Sequence, residues 1–166
     1  MPRSGVEALV AFVNKFEKEG NIPYCNSCNE YRFPLFNTAV SMIVVNKRQN
    51  RILLIQQYGK KDFILVAGYV NKGESAEQAV LREVDEELGM KVEKMRYNSS
   101  QYFEKSNTLI LNYTCMVSDE KLDKMTEEVD YAEWFTIQEA QEHIKRNSLA
   151  QHFLQAYIHN TGFRFD

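Results

Sequence analysis

The stretch from Gly68 to Met90, GYVNKGESAEQAVLREVDEELGM, decides how this chain reads. Its centre carries the signals of a helix over residues 75–88. Ser75 stands where a side-chain oxygen caps the first turn, and Gln78, three residues on, completes a capping box. Gly89 stands where a left-handed residue closes a helix. At about 100° per residue, Glu83, Glu86 and Glu87 project to one side. Ala76, Val80, Val84 and Leu88 form an apolar stripe on an adjoining side. The helix therefore offers one face to a core and carries carboxylates at its border. Like charges three and four residues apart repel by roughly a few tenths of a kcal/mol per pair. A hard divalent cation offsets such repulsion, because Mg2+ binds carboxylate oxygens together with phosphates. Arg82, four residues before Glu86, is placed to orient it. A bare E-x-x-E-E is more often a solvated acidic face. Here a glycine turn ends a strand, runs through Asn71, Lys72 and Gly73 and enters a capped helix, which sets the carboxylates at a sheet edge.

Outward from this segment, residues 39–46 and 51–57 are apolar, β-branched runs around a turn-like 47–50, a hairpin pattern. Residues 63–70 form a third short strand ending in Gly68. After the helix come strand-like 93–103 and 108–117, a polar stretch over 118–126, and a last strand around 132–135. Two further helices start at Thr136, with Glu139 as capping partner, and at Ser148, with Gln151 in that role. Strands and helices mixed in this way predict an α/β (α+β) layered domain over residues 34–166. Residues 1–33 read as an appendage: an amphipathic helix through about residue 20, with Val6, Leu9, Val10, Val13 and Phe16 as its apolar positions, then an irregular stretch holding Cys25 and Cys28.

The chain has 166 residues, 44% hydrophobic and 26% charged, which suits a globular protein with one core. Its net charge of -3 gives no electrostatic footprint for general nucleic-acid binding. No apolar run approaches the length of a membrane span. Three cysteines argue against a disulfide framework, so a reducing compartment, the cytoplasm, is the expected location. Cys115 falls inside an apolar strand and reads as a small core residue.

The central segment resembles the Nudix box, G-x5-E-x7-R-E-U-x-E-E-x-G-U with U apolar. It matches at every specified position: Gly68, Glu74, Arg82, Glu83, Val84, Glu86, Glu87, Gly89 and Met90. The resemblance implies the Nudix α/β/α sandwich with a mixed sheet. It implies a Mg2+- or Mn2+-dependent pyrophosphohydrolase acting on a nucleoside diphosphate linked to another moiety. By position, Glu83, Glu86 and Glu87 are the implied metal ligands, with the Gly68 carbonyl joining them. Glu74 and Arg82 support the loop and the glutamates; Glu74 also reads as a charge favoured at a helix N-terminus. Metal ions neutralise a pyrophosphate and lower the pKa of a bound water. A carboxylate then accepts the water's proton, with Glu83 as the leading candidate base.

The resemblance extends to the NADH pyrophosphatase branch, from about Cys25 to Leu154. Cys25-x2-Cys28 followed by Phe33-Pro34 is similar to the second half of that branch's zinc ribbon. Glu128, ahead of Trp134 in EVDYAEWF, matches a glutamate linked to metal; an exposed strand-edge charge is the other reading, and Glu127 is its rival. Trp134 reads as core. Ser148-Leu149-Ala150 also fits the branch. Two departures stand out. Structural zinc wants four ligands, and only Cys25 and Cys28 are in place, since His143, His152 and His159 have no ligand spacing. The branch's S-Q-P-W-P-F-P-x-S is here SQYFEKSNT from Ser100 to Thr108, without prolines, which alters the loop's shape. Tyr102 and Phe103 are candidates to stack on a base, or strand-surface aromatics. Lys105 is a candidate phosphate contact, or a solvated lysine. The expected ligand is a small-molecule nucleotide, NAD(H) among the options beside ADP-ribose and nucleotide sugars. The other class considered is a nucleotide-binding module without turnover. A homodimer is implied by the branch.

Overall fold

The computed structural model describes the backbone of Phe12–Val13 and residues 22–166. The chain divides after Phe36 into two units. In the first, β1 (Phe12–Val13), β2 (Ile22–Cys25) and β3 (Glu30–Tyr31) form an antiparallel sheet in the order β1-β2-β3. The helix expected over the first twenty residues falls mostly outside the described residues. Its described members, Phe12 and Val13, are strand instead, paired with Pro23 and Ile22. An aromatic and a β-branched residue suit a pleated strand as well as a helix face.

The second unit, Asn37–Asp166, runs β4 (Asn37–Val45), β5 (Arg51–Gln57), β6 (Val66–Tyr69), α1 (Ala76–Leu88), β7 (Val92–Phe103), β8 (Thr108–Val117), β9 (Val129–Thr136), α2 (Ile137–His143) and α3 (Leu149–His159). Its sheet has the order β7-β8-β4-β5-β9, with β6 also paired to β4. β4 runs parallel to β8 and the remaining pairs are antiparallel, so the sheet is mixed as expected. β4 is apolar on both faces because both are covered. Val40, Met42 and Val44 pack with Val80, Val84 and Leu88 of α1. Ile43 and Val45 pack with Ala140 of α2 and with Phe153, Leu154 and Tyr157 of α3. The result is the α/β/α sandwich. Cys115 is fully buried in the first of these cores, and burial pushes its thiol up to about 12.

The helix ends follow their local signals. At α1, Ser75 accepts from the Gln78 amide, the Gln78 side chain accepts from Ser75, and Gly89 closes the helix at φ 63°. Thr136 and Glu139 complete the same box at α2. At α3 only half of it forms: Ser148 accepts from the Gln151 amide, while the Gln151 side chain accepts from Asn147, one residue upstream. Among the described residues no helix is long and apolar enough to cross a membrane.

Loop 118–128 is laid on the last turn of α1. The Thr126 amide donates to the Glu87 carbonyl at 3.3 Å. A Cβ on Gly89 would run into Lys124, so glycine is needed there for its space as well as its left-handed backbone. This packing carries Glu128 back toward the helix. The stability of the arrangement rests on the α1 stripe. Replacing the fully buried Leu88 with alanine should lower the free energy of unfolding in urea by about 2–5 kcal/mol through lost transfer energy and the cavity left behind.

Candidate active site

α1 does not present its three glutamates alike. Glu83 and Glu87, four residues apart, are buried against the sheet, while the Glu86 side chain is 58% exposed. The apolar stripe and the Glu83–Glu87 row share one face, and Glu86 stands at its margin.

Arg82 ties this arrangement together. Its Nε and Nη2 donate to the two carboxylate oxygens of Glu74 at 2.8 and 3.0 Å, a bidentate fork. Nη2 also donates to the Tyr69 carbonyl at 2.9 Å. Nη1 donates to Glu83 at 2.7 Å and to Glu86 at 2.9 Å. Glu74 in turn accepts from the Asn71 amide at 2.9 Å. Arg82 and then that amide hold the Glu74 carboxyl below its ordinary range. The loop from β6 to α1 is thus fastened to the helix through one guanidinium.

Gly68 lies directly under the Glu83 carboxylate, where any Cβ would collide with it. The residue is glycine here because the carboxylate fills the space a side chain would take. Glu87 accepts from Gln57 Nε2 at 2.8 Å through one oxygen, and its other oxygen is buried without a partner. Burial pushes its carboxyl up to about 7; Gln57 works against this, and the charges of Glu83, Glu128 and Glu86 add to it. Such a buried, half-satisfied carboxylate calls for a cation.

Glu83, Glu87, Gly68 and Glu128 line one cavity of about 450 Å³. The structure thereby brings the exposed Glu128 to the site, and Glu127 does not line it. From the β7–β8 side of the sheet, Phe103, Ser106, Thr108 and Ile110 complete the lining. Tyr102 and Lys105 do not reach it. On β7 successive side chains alternate faces, so Tyr102 points away from Phe103, and its hydroxyl donates to Asn107 at 2.7 Å. Lys105 sits exposed in the turn Glu104–Ser106. Trp134, expected in the core, is only half-buried: it packs against the α1-side core and donates to the Glu120 carbonyl at 2.9 Å.

Among the described residues no three acidic, histidine or cysteine side chains converge on one point as they stand; Arg82 instead bridges Glu83 and Glu86. The donor set still fits a hard divalent cation: it is all oxygen, and one oxygen of Glu87 is orphaned. The set at Cys25 and Cys28 does not fit structural zinc. Cys25 ends β2 and Cys28 stands in the turn to β3, where Arg32 donates to its sulfur at 2.7 Å. The further ligands that zinc needs are absent among the described residues.

Sequence reasoning missed Gln57 and Tyr58. Gln57 is a buried amide ending an otherwise apolar strand, a signal in itself. Tyr58 precedes Gly59 in what reads as an ordinary turn. Burial, then Glu128, Glu87 and Glu83, hold its phenol protonated above the usual range.

The NUDIX domain model matches residues 35–157. A protein named NAD-capped RNA hydrolase NudC from Stutzerimonas stutzeri (strain A1501) is 31% identical over 137 residues, 81% of this chain and 49% of that protein. The chain spans about half the length of the curated relatives it matches. A NUDIX hydrolase from Nitrosomonas europaea superposes with a TM-score of 0.64 at 22% identity, over 79% of this chain and 93% of that one. The NUDIX domain of Shewanella oneidensis NrtR, complexed with ADP ribose, superposes with a TM-score of 0.63 at 15% identity, over 76% and 89%. The chain belongs to the Nudix family of hydrolases.

The raised carboxyl of Glu87 predicts a pH dependence of stability in the metal-free protein. Its folded pKa lies above the ordinary 4.5, at about 7. The folded state then holds the proton longer than the unfolded state, so stability falls as pH rises from about 4.5 to about 7. Urea unfolding in EDTA at pH 5 and pH 8 should show this fall, on the order of 1–3 kcal/mol. Glu87→Gln should abolish it, and an unchanged pH dependence in that variant would contradict the assignment.

Proposed function

We propose that this chain is a Mg2+- or Mn2+-dependent pyrophosphohydrolase that cleaves the diphosphate of an NAD-type nucleotide. The observation that carries the reading is the orphaned, buried oxygen of Glu87, set beside Glu83 and Glu128 on the wall of one cavity. Glu83, Glu86, Glu87, Glu128 and the Gly68 carbonyl are the proposed metal ligands. Bound there, the cation would neutralise phosphate oxygens and acidify a water. Glu83 is the proposed base, because its carboxylate lines the cavity while Arg82 fixes its other side. Arg82 acts as a positioning residue. Phe103, on the cavity lining, is the proposed partner for a base or nicotinamide ring.

The NAD-capped RNA hydrolase among its relatives supports an NAD-linked diphosphate. The same bond is present in free NAD(H) and in an NAD cap on RNA. The net charge of -3 favours the free nucleotide. ADP-ribose is the second reading, supported by the ADP ribose complex of a structural neighbour.

A panel of NADH, ADP-ribose and NAD-capped RNA with Mg2+ tests this. Cleavage of NADH to NMNH and AMP, with ADP-ribose untouched, is expected; the reverse preference selects the second reading. Glu86→Gln should lower kcat by roughly 10²-fold. Nucleotide binding with no turnover of any diphosphate would contradict the enzyme reading and favour a binding module.

A further inference from the structure

Tyr58 is an exposed aromatic residue in a conformation that needs an explanation. Its φ is 56°, in the left-handed region that a bulky side chain avoids. Two features over-determine that conformation. The Gly59 amide donates to the Asp130 carboxylate at 2.6 Å, and the Lys60 amide donates to the Gln57 carbonyl at 3.1 Å. The register with β9 shifts between Gln56 and Gln57, immediately before the turn. Backbone strain of this kind persists where the surroundings enforce it, and it concentrates at ligand sites.

The strained turn has a definite result. It projects Tyr58, 72% exposed, onto the wall that also carries Glu83, Glu87 and Glu128. The preceding residue, Gln57, holds Glu87. One turn thus orders a metal-site carboxylate and aims a phenol at the same space. The charges of Glu128, Glu87 and Glu83 all act on that phenol. No protein hydrogen bond engages its hydroxyl among the described residues. A phenol hydroxyl is a neutral donor that can sit among carboxylates without adding charge.

We infer that Tyr58 is a substrate-binding residue whose hydroxyl donates to a non-bridging oxygen of the diphosphate held at the carboxylate end of the cavity. The inference rests on the proposed diphosphate chemistry of this site. It assigns Tyr58 to the part common to all such substrates, not to the base or the leaving group.

Calorimetric binding of inorganic pyrophosphate with Mg2+ tests it without requiring turnover. Tyr58→Phe, which removes only the hydroxyl, should weaken binding roughly ten-fold, as loss of a hydrogen bond to a charged group does. Its kcat/KM should fall by a similar factor for NADH and ADP-ribose alike. Tyr58→Asn, whose short side chain tolerates the left-handed backbone, should match it, with urea midpoints unchanged in both variants. Wild-type behaviour of Tyr58→Phe, with loss only in Tyr58→Asn, would make the ring the contact and overturn the inference. A loss that follows a lowered unfolding midpoint would make Tyr58 structural and overturn it equally. If the wild type binds pyrophosphate more tightly than Tyr58→Phe but hydrolyses nothing, the proposed activity fails while the assignment of Tyr58 stands.

Discussion

The guanidinium of Arg82 is the constraint on which the site depends. An arginine has five N–H donors in a fixed planar fork. Here they make five hydrogen bonds, to Glu74 twice, to the Tyr69 carbonyl, to Glu83 and to Glu86. Three carboxylates and the end of β6 are thereby brought to one charge. A lysine would supply the charge without the planar geometry. The cluster of like charges on α1 is tolerable because this hub lies within it. The hub leaves Glu87 outside its reach, with one oxygen on Gln57 and the other unpartnered.

That asymmetry links fold to chemistry. The α1 stripe that fills the core also buries Glu83 and Glu87, so the helix cannot pack without taking carboxylates out of water. Loop 118–128 closes over the helix end through Gly89 and Thr126 and delivers Glu128. The turn after β5 delivers Gln57 and Tyr58. Each contributor arrives from a different element, and the sheet fixes their mutual positions. The lining combines the carboxylates of Glu83, Glu87 and Glu128 with the apolar Phe103 and Ile110. Such a combination suits a ligand with a diphosphate and a flat organic end.

Much of this was legible in the residues. Caps announced themselves at Ser75, Gly89 and Thr136 because their signals are local. The hairpin of β4 and β5 followed from two apolar, β-branched runs around a turn-like stretch. The carboxylate row followed from helical periodicity, although periodicity alone did not separate the exposed Glu86 from the buried Glu83 and Glu87. That separation is set by where the sheet lies. Tyr102 and Lys105 each kept two readings in the sequence, because residue type says neither which strand face Tyr102 takes nor where the turn Glu104–Ser106 aims Lys105. Tyr58 was invisible because a left-handed tyrosine has no sequence signature, and its position depends on Asp130, far along the chain. At the other end, Val13 fits a helical stripe but pairs as strand with Ile22, where pairing with β2 outweighs local pattern.

The proposed divalent-cation site at these carboxylates can be tested by titrating Mn2+ and following its electron paramagnetic resonance. The wild type should bind Mn2+ saturably, and Mg2+ should displace it. In a folded Glu83→Gln/Glu87→Gln variant, that affinity should fall on the order of ten-fold or more. Undiminished Mn2+ binding in that variant would contradict the proposed site.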